Sequence, residues 1–389
     1  MTPGYRQTEV GVIPEDWQVK SLGEIAHIKT GGRNNQDKVD EGEYPFFVRS
    51  AMVERINSYS YDCEAILVPG EGDIGNIFHY ICGRFDVHQR VYAITQFSPK
   101  TSGRFIYFYM AEKFGAHAMQ NSVKATVDSL RLPTFQNFKI AMPPDTEEQT
   151  AIADALSDAD SLIDSLENLL AKKRGLKQGA MQELFIGKKR LPGFSGEWKV
   201  KRMGDLAVLS KAGVNPATTP NALFTHFSLP AFDAGAVPVV EQGSCIGSNK
   251  FVVPARAVLL SKLNPRIPRI WAPSYIPSNA VCSTEFLVLV PRECADREFL
   301  AALCRSPAMC YQMELHATGT TGSHQRMNPS QALAIEINVP EDQGEQKAIA
   351  DVLSDMDADI IELQHMLSKV RQLKQGMMQE LLTGRARLI

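Results

Sequence analysis

The chain has 389 residues, 44% of them hydrophobic and 22% charged, with a net charge of −3. That length suits two or three domains with ordinary cores, and the composition excludes collagen-like, low-complexity and disulfide-dense classes. No apolar run approaches the roughly 20 residues of a membrane span and no secretory leader pattern opens the chain, so the expectation is a cytoplasmic protein with no membrane partner. The seven cysteines, at 63, 82, 245, 282, 294, 304 and 310, form no CxxC pair; scattered odd thiols fit a reducing cytosol without a structural disulfide or a zinc set.

Residues 1–143 read as a mixed strand and helix block. Glu64–Pro69 and Arg90–Thr95 have the β-branched character of strands, bounded by turn residues. Between them Gly70-Glu71-Gly72-Asp73-Ile74-Gly75 satisfies GxGxxG. A dinucleotide site needs a helix next, whereas Asn76-Ile77-Phe78-His79-Tyr80 reads as strand, so a hairpin is the expectation. Polar loops stand out instead: Lys29-Thr30-Gly31-Gly32-Arg33-Asn34-Asn35, His88-Gln89-Arg90, and Lys124 through Arg131 with Thr126 between them.

Residues 144–190 read as a long helix. Apolar positions step four and three through Ile152, Leu156, Ala159, Ile163, Leu166 and Leu170, the spacing of an a/d seam against another helix. Pro144 precedes it and Gly187 closes it. About 41 residues at 1.5 Å rise give a rod of roughly 60 Å.

Residues 191–340 form a second mixed block, with strands expected at Ala257–Ser261 and Glu285–Val290. Its polar loops are Ser261-Lys262-Leu263-Asn264-Pro265-Arg266, then Arg269, and Thr318 through Arg326 with Ser323, His324 and Gln325. Residues 341–389 repeat the helix: Ile349, Leu353, Met356, Ile360, Leu363 and Leu367 carry the same seam, between Pro340 and Gly384. Aligned without a gap, 148–191 and 345–388 agree at 26 of 44 positions, far above chance, so the repeat governs the fold reading.

A weaker copy precedes each strong one. Trp17-Gln18-Val19-Lys20 and Gly23-Glu24-Ile25-Ala26 match Trp198-Lys199-Val200-Lys201 and Gly204-Asp205-Leu206-Ala207. The continuation that follows Arg190-Leu191 is missing after Arg387-Leu388 and resembles the stretch leading to Trp17. The halves are circularly permuted, as two pseudo-two-fold halves with both termini at one end require. Each helix is acidic first and basic last: 145–167 holds eight acids and no Lys or Arg, while 172–190 holds seven bases and one acid. Antiparallel packing sets acid beside base and parallel packing sets acid beside acid, so antiparallel is expected. The fold class read from these features is α+β, with two mixed domains at opposite ends of two long antiparallel coiled-coil helices.

There is no GxxxxGK[ST], HExxH or GxSxG, and no Asn/Asp-Pro-Pro-aromatic motif; the eight histidines lack metal-ligand spacing. No catalytic residue, metal or cofactor is assigned, and the chain is read as non-catalytic. Arg reads guanine and Asn or Gln reads adenine in the major groove, while Ser, Thr and glycine-rich backbone suit phosphates. The loop residues therefore make double-stranded DNA one candidate ligand. A net charge of −3 argues that a partner helps neutralise phosphate. From the residues alone a protein–protein scaffold without DNA contact, and an enzyme with an unrecognised site, stay open beside it.

The whole arrangement resembles the specificity subunit of a type I restriction–modification system. The resemblance rests on Gln7-Thr8-Glu9-Val10-Gly11-Val12-Ile13-Pro14 with Trp17, on Glu148-Gln149 and Glu345-Gln346 with their flanking segments, and on the tails Leu176-Lys177-Gln178-Gly179 and Leu373-Lys374-Gln375-Gly376. In the second block Leu260 through Arg266, Ser283-Thr284-Glu285-Phe286 and Gly322 through Arg326 resemble one recurring type of recognition domain. The resemblance implies target recognition domains at 1–143 and 191–340, each reading half of a bipartite asymmetric DNA site. It implies conserved spacer helices at 144–190 and 341–389 that set the gap and dock two modification subunits. Those partners carry adenine methylation and S-adenosylmethionine; ATP-dependent restriction subunits join in systems that cleave.

Overall fold

The computed structural model describes residues 4–122, 129–319 and 324–388. It divides into two compact units, Met1–Glu167 with His365–Ile389, and Asn168–Gln364.

The first unit is built on a six-stranded sheet in the order His27–Thr30, Val91–Thr95, Tyr61–Pro69, His79–Val87, Tyr44–Phe47, Val53–Ile56. All neighbours are antiparallel except Tyr44–Phe47 against His79–Val87. Alternation along the central strands splits their side chains between two faces. Ile66, Val68 and Ile94 pack with Phe105 and Tyr109 of the helix Gly103–Asn121. Ala65, Leu67, Val91 and Ala93 face the other way, toward Phe85 and Val87. The GxGxxG segment joins two antiparallel strands, and the second begins at His79, three residues later than the sequence reading placed it.

The second unit carries a four-stranded sheet, Ala207–Ser210, Phe286–Pro291, Val258–Ser261, Ile270–Trp271. A five-stranded sheet accompanies it, Gly213–Val214, Lys250–Val252, Ala280–Ser283, Leu223–Phe227, Val239–Gln242. Phe227, Trp271 and Phe286 fill one core, and the helix Arg297–Arg305 packs into another with Leu260 and Leu287. All seven cysteines are free thiols. Burial pushes Cys282 and Cys304 up to about 12, which keeps both as unreactive apolar fillers.

Each unit closes in the same way. The strand beside the anchor tryptophan pairs antiparallel with the strand that leads into a long helix: Gln18–Ser21 with Lys139–Met142, and Trp198–Arg202 with Glu336–Pro340. The long helices follow, Thr146–Phe185 and Gln343–Leu381. Gly187 and Gly384 sit at φ +69° and +71°, the left-handed conformation glycine supplies just past a helix end.

Within the first unit Lys374 meets Asp160 at 2.5 Å and Arg371 meets Glu167 at 2.5 Å, so these helix segments run in opposite directions. Within the second unit Lys173 meets Asp359 at 2.6 Å and Lys177 pairs with Asp357, again in opposite directions. Half-exposed ion pairs contribute at most about 1 kcal/mol each, so they select direction more than they stabilise. Stabilisation comes from the buried apolar positions of these helices, where a fully buried Leu or Ile contributes about 1.5–3 kcal/mol. Ile152, Leu156, Leu166 and Leu367 are buried in the first unit, and Leu170, Ile349 and Leu353 in the second. Ile163, Ile360 and Leu363 are half-buried.

The repeated Glu-Gln dipeptide forms the joint. Gln149 is fully buried; its amide donates to the carbonyls of Lys100 (3.1 Å) and Pro143 (2.9 Å) and accepts from the Ser102 N–H (2.9 Å). Gln346 repeats this with the carbonyls of Cys294 (3.2 Å) and Pro340 (2.9 Å) and the Asp296 N–H (2.9 Å). Ser102 and Asp296 are the N-caps of Gly103–Asn121 and Arg297–Arg305, so each glutamine ties a long helix to its unit's own helix. Glu148 takes Arg387 through two oxygens, and Glu345 takes Arg190 likewise at 2.6 and 2.7 Å. Replacing Gln149 or Gln346 by Leu strands one buried carbonyl, that of Pro143 or Pro340, and removes the amide from a second carbonyl and an N–H that are part-buried. Each substitution is expected to lower stability by about 3 kcal/mol or more in urea unfolding; a change below about 1 kcal/mol would contradict the joint.

Candidate nucleic-acid interface

In the first unit the structure gathers two separated loops. The Gly31 N–H donates to Val91 O, and the Gly32 and Arg33 N–H groups both reach Val87 O. The Gln89 N–H returns to Arg33 O, and the Gln89 amide donates to Asn34 Oδ1. A Cβ on Gly31 would stand 2.0 Å from Val87 O, so this close approach requires glycine. Lys29, Thr30, Gly32, Arg33, Asn34, His88, Gln89 and Arg90 therefore share one edge. Arg131 joins them at one remove: Leu130 N–H donates to Gly70 O, and Gly70 N–H donates to Arg90 O. Lys29, Gly32 and Arg131 are exposed. His88 is buried at 4% exposure and its Nδ1 accepts the Arg90 N–H, so the ring builds the turn. Burial first, then the nearby Arg49 and Arg90, hold its pKa below the ordinary histidine range. Lys124 and Thr126 lie outside the described residues.

The second unit gathers its loops similarly. Lys262 N–H donates to Glu285 O, Met327 N–H to Lys262 O, and Asn264 N–H to Gln325 O. Lys262, Asn264, His324, Gln325 and Arg326 thus meet on one patch beside the strand Phe286–Pro291. Arg269 is reached through Ser261, whose N–H donates to the Arg269 carbonyl. Arg266 projects as an exposed side chain. Asn264 adopts φ +48°, and its Oδ1 is buried without a hydrogen-bond donor among the described residues. Ser323 lies outside the described residues.

Carboxylates stand behind most of these arginines, and the sequence reading assigned them no role. Arg33 Nε lies 3.0 Å from Asp86, which is 1% exposed and also accepts from Ser58 at 3.1 Å. Arg49 and Arg90 share Glu71 at 3.4 and 3.3 Å. Arg269 grips Asp233 with two bonds, 2.7 and 3.0 Å, which hold that carboxyl below its usual range. Arg326 meets both oxygens of Glu285. No spacing in the chain signals the Asp86 and Asp233 partners, because each lies across a sheet or loop from its arginine; Glu71 and Glu285 lie within motifs, GxGxxG and Ser283-Thr284-Glu285-Phe286, that gave no hint of an arginine partner. Two surfaces of amides, hydroxyls, backbone N–H groups and guanidiniums result, suited to hydrogen-bonding a polar, planar ligand.

Known proteins place the chain. A profile of the type I restriction modification DNA specificity domain matches residues 14–173 and again 196–370. The type I restriction enzyme EcoDI specificity subunit of Escherichia coli is 30% identical over 168 residues, 43% of this chain and 36% of that protein. The type I restriction enzyme MjaVIII specificity subunit of Methanocaldococcus jannaschii is 27% identical over 185 residues, 44% of this chain and 43% of that protein. The matches span less than half the length of either curated relative. A crystal structure of a type I restriction–modification S subunit from M. genitalium shares the fold with TM-score 0.66 at 15% identity, over 98% of this chain and 99% of that one. A chain from a structure of the assembly and conformational transition of the type I R-M system follows with TM-score 0.54 at 13% identity, over 96% and 99%. With two profile matches that together cover most of its length, this α+β chain belongs to the type I restriction modification DNA specificity domain family.

Proposed function

We propose that the chain is the DNA-reading specificity subunit of a type I restriction–modification complex, itself without catalysis. Blocks 1–143 and 191–340 act as target recognition domains, each reading half of a bipartite, asymmetric double-stranded site. The helices at 144–190 and 341–389 act as an antiparallel coiled coil between two pseudo-two-fold, circularly permuted halves. They hold the readers at opposite ends and set the gap between half-sites. Two modification subunits dock on the chain and bring S-adenosylmethionine and adenine methylation; ATP-dependent restriction subunits join where DNA is cut.

The observation that carries this reading is the gathering, in each unit of a chain of this family, of separated basic and amide loops onto one hydrogen-bonded surface. The two surfaces differ in residues, so unlike half-sites follow. Paired guanidiniums carry little net charge, which fits a net charge of −3 and leaves much phosphate neutralisation to the partners.

Adding seven residues, two turns, to both helices lengthens the rod by about 10 Å, roughly 3 base pairs. A map of methylated adenines in cells carrying this variant is expected to show a wider gap with the same half-sites; an unchanged gap would sink the gauge. The loop arginines divide by a second measurement. Arg33→Ala strips buried Asp86 of its cation and is expected to lower stability by about 1–2 kcal/mol without DNA, after allowance for the exposed guanidinium. Arg266→Ala is expected to leave the melting temperature alone and to reduce the salt slope of DNA binding by the complex by about 1. An unchanged slope would remove Arg266 from the interface.

A further inference from the structure

Arg326 is 47% exposed and Glu285 25% exposed in their side chains, an ion pair at the surface of the second unit's gathered loops. Its geometry is specific. Arg326 Nε lies 3.1 Å from Glu285 Oε2 and 3.3 Å from Oε1, and Nη2 lies 3.2 Å from Oε1. The carboxylate occupies the Nε–Nη2 side of the guanidinium. Among the described residues the Nη1–Nη2 end meets no carboxylate, and Nη1 makes one long bond, 3.4 Å, to His324 O. That end presents two parallel N–H groups, the fork that fits guanine O6 and N7.

Glu285 is itself held. Its N–H donates to Ser283 Oγ at 3.2 Å, and its carbonyl accepts the Lys262 N–H at 2.9 Å. Leu263 bridges Arg326 across the loops. The patch also contains Asn264, with a left-handed backbone and a buried acceptor that no protein donor satisfies. Strain and an orphaned acceptor at the same loop are costs that a bound ligand can offset.

Charge decides what kind of contact this is. A guanidinium neutralised by a carboxylate has little attraction for phosphate, and the carboxylate repels phosphate directly. A base edge is neutral and asks for geometry, which the carboxylate supplies by freezing the arginine rotamer. Exposed Arg266 has no carboxylate partner among the described residues and fits the opposite role, a phosphate contact.

We propose that Glu285 is a positioning residue that presents Arg326 end-on to a guanine, so that one base of the second unit's half-site is read by an Arg326–Glu285 pair while unpaired cations of the patch engage phosphate. The inference rests on the DNA-reading function proposed above and assigns the base class and the residue that aims the reader.

The test uses the full chain assembled with its modification subunits. The methylated-adenine map of the wild-type complex defines the site. Binding is then measured to the mapped duplex, to duplexes changed at one base pair, and to a duplex lacking the site. Glu285→Gln keeps the side chain's shape and removes its charge. Discrimination at one G·C position is expected to fall roughly tenfold, while binding to the duplex lacking the site tightens because a repelling carboxylate is gone. Arg326→Lys keeps the charge and loses the fork, and is expected to broaden the same position. A merely structural Glu285 would weaken binding to every duplex alike, and that result, or an unchanged site in both variants, overturns the proposal. Should Glu285→Gln fail to assemble, Arg326→Lys decides alone: broadening at one G·C position supports the pairing and unchanged recognition overturns it. A wild-type complex with no sequence preference would instead overturn the DNA-reading function on which the pairing rests.

Discussion

A buried glutamine amide at the head of each long helix sets the geometry of its unit. Gln149 and Gln346 each satisfy two carbonyls and one N–H, and the bond to the proline carbonyl, Pro143 or Pro340, is fully buried. Three bonds from one planar group fix position and rotation together, so the helix leaves its unit along one direction. The glutamate one residue earlier adds a second constraint, a bidentate arginine from the tail that follows the other helix. An apolar helix face alone permits sliding by a heptad. Buried polar groups that must find particular partners forbid that sliding.

The electrostatics follow a consistent division. Along the helices, acids and bases pair at the surface and set direction at little gain in stability. In the loops, guanidiniums are backed by carboxylates, which lowers long-range attraction for DNA while sharpening orientation. The proposed DNA-reading function benefits from this balance. Non-specific affinity scales with uncompensated positive charge, whereas discrimination depends on aligned donors and acceptors.

Much of the architecture was legible because it was written twice. The two long helices, the closing glycines and the four strands at Glu64–Pro69, Arg90–Thr95, Ala257–Ser261 and Glu285–Val290 all have counterparts in the fold. Helix periodicity and helix-end chemistry are local, so a sequence displays them directly. The sites were less legible. Residue type and loop context marked His88 as a candidate DNA contact, but burial is decided by strands remote in sequence, and its ring serves the turn. Asp86 and Asp233 drew no notice, and Glu71 was seen only as part of GxGxxG, since a carboxylate that supports an arginine has no fixed offset from it. The glutamate–glutamine dipeptide was visible as a repeat, yet its role depends on carbonyls at Lys100 and Cys294, supplied by segments about 50 residues earlier.

The two joints are the same device made by different routes. In the second unit Arg190 and Trp198 belong to one short linker; the guanidinium lies 5.8 Å from the indole ring, and both the guanidinium and the indole N–H reach Glu345. In the first unit the corresponding partners, Arg387 and Trp17, come from opposite ends of the sequence: Arg387 binds Asp16, 371 residues away, at 2.9 and 3.1 Å and sits 6.0 Å from the Trp17 ring. Here the indole N–H of Trp17 finds no acceptor among the described residues. A short covalent linker supplies proximity that two distant segments must obtain from binding energy. The first joint has contacts suited to that task, the Asp16 carboxylate and a 3.1 Å bond from the Tyr5 hydroxyl to Gly384 O. Loss of one indole bond is thus accompanied by an added ion pair and an added hydrogen bond, as expected when the same geometry must be kept without the linker.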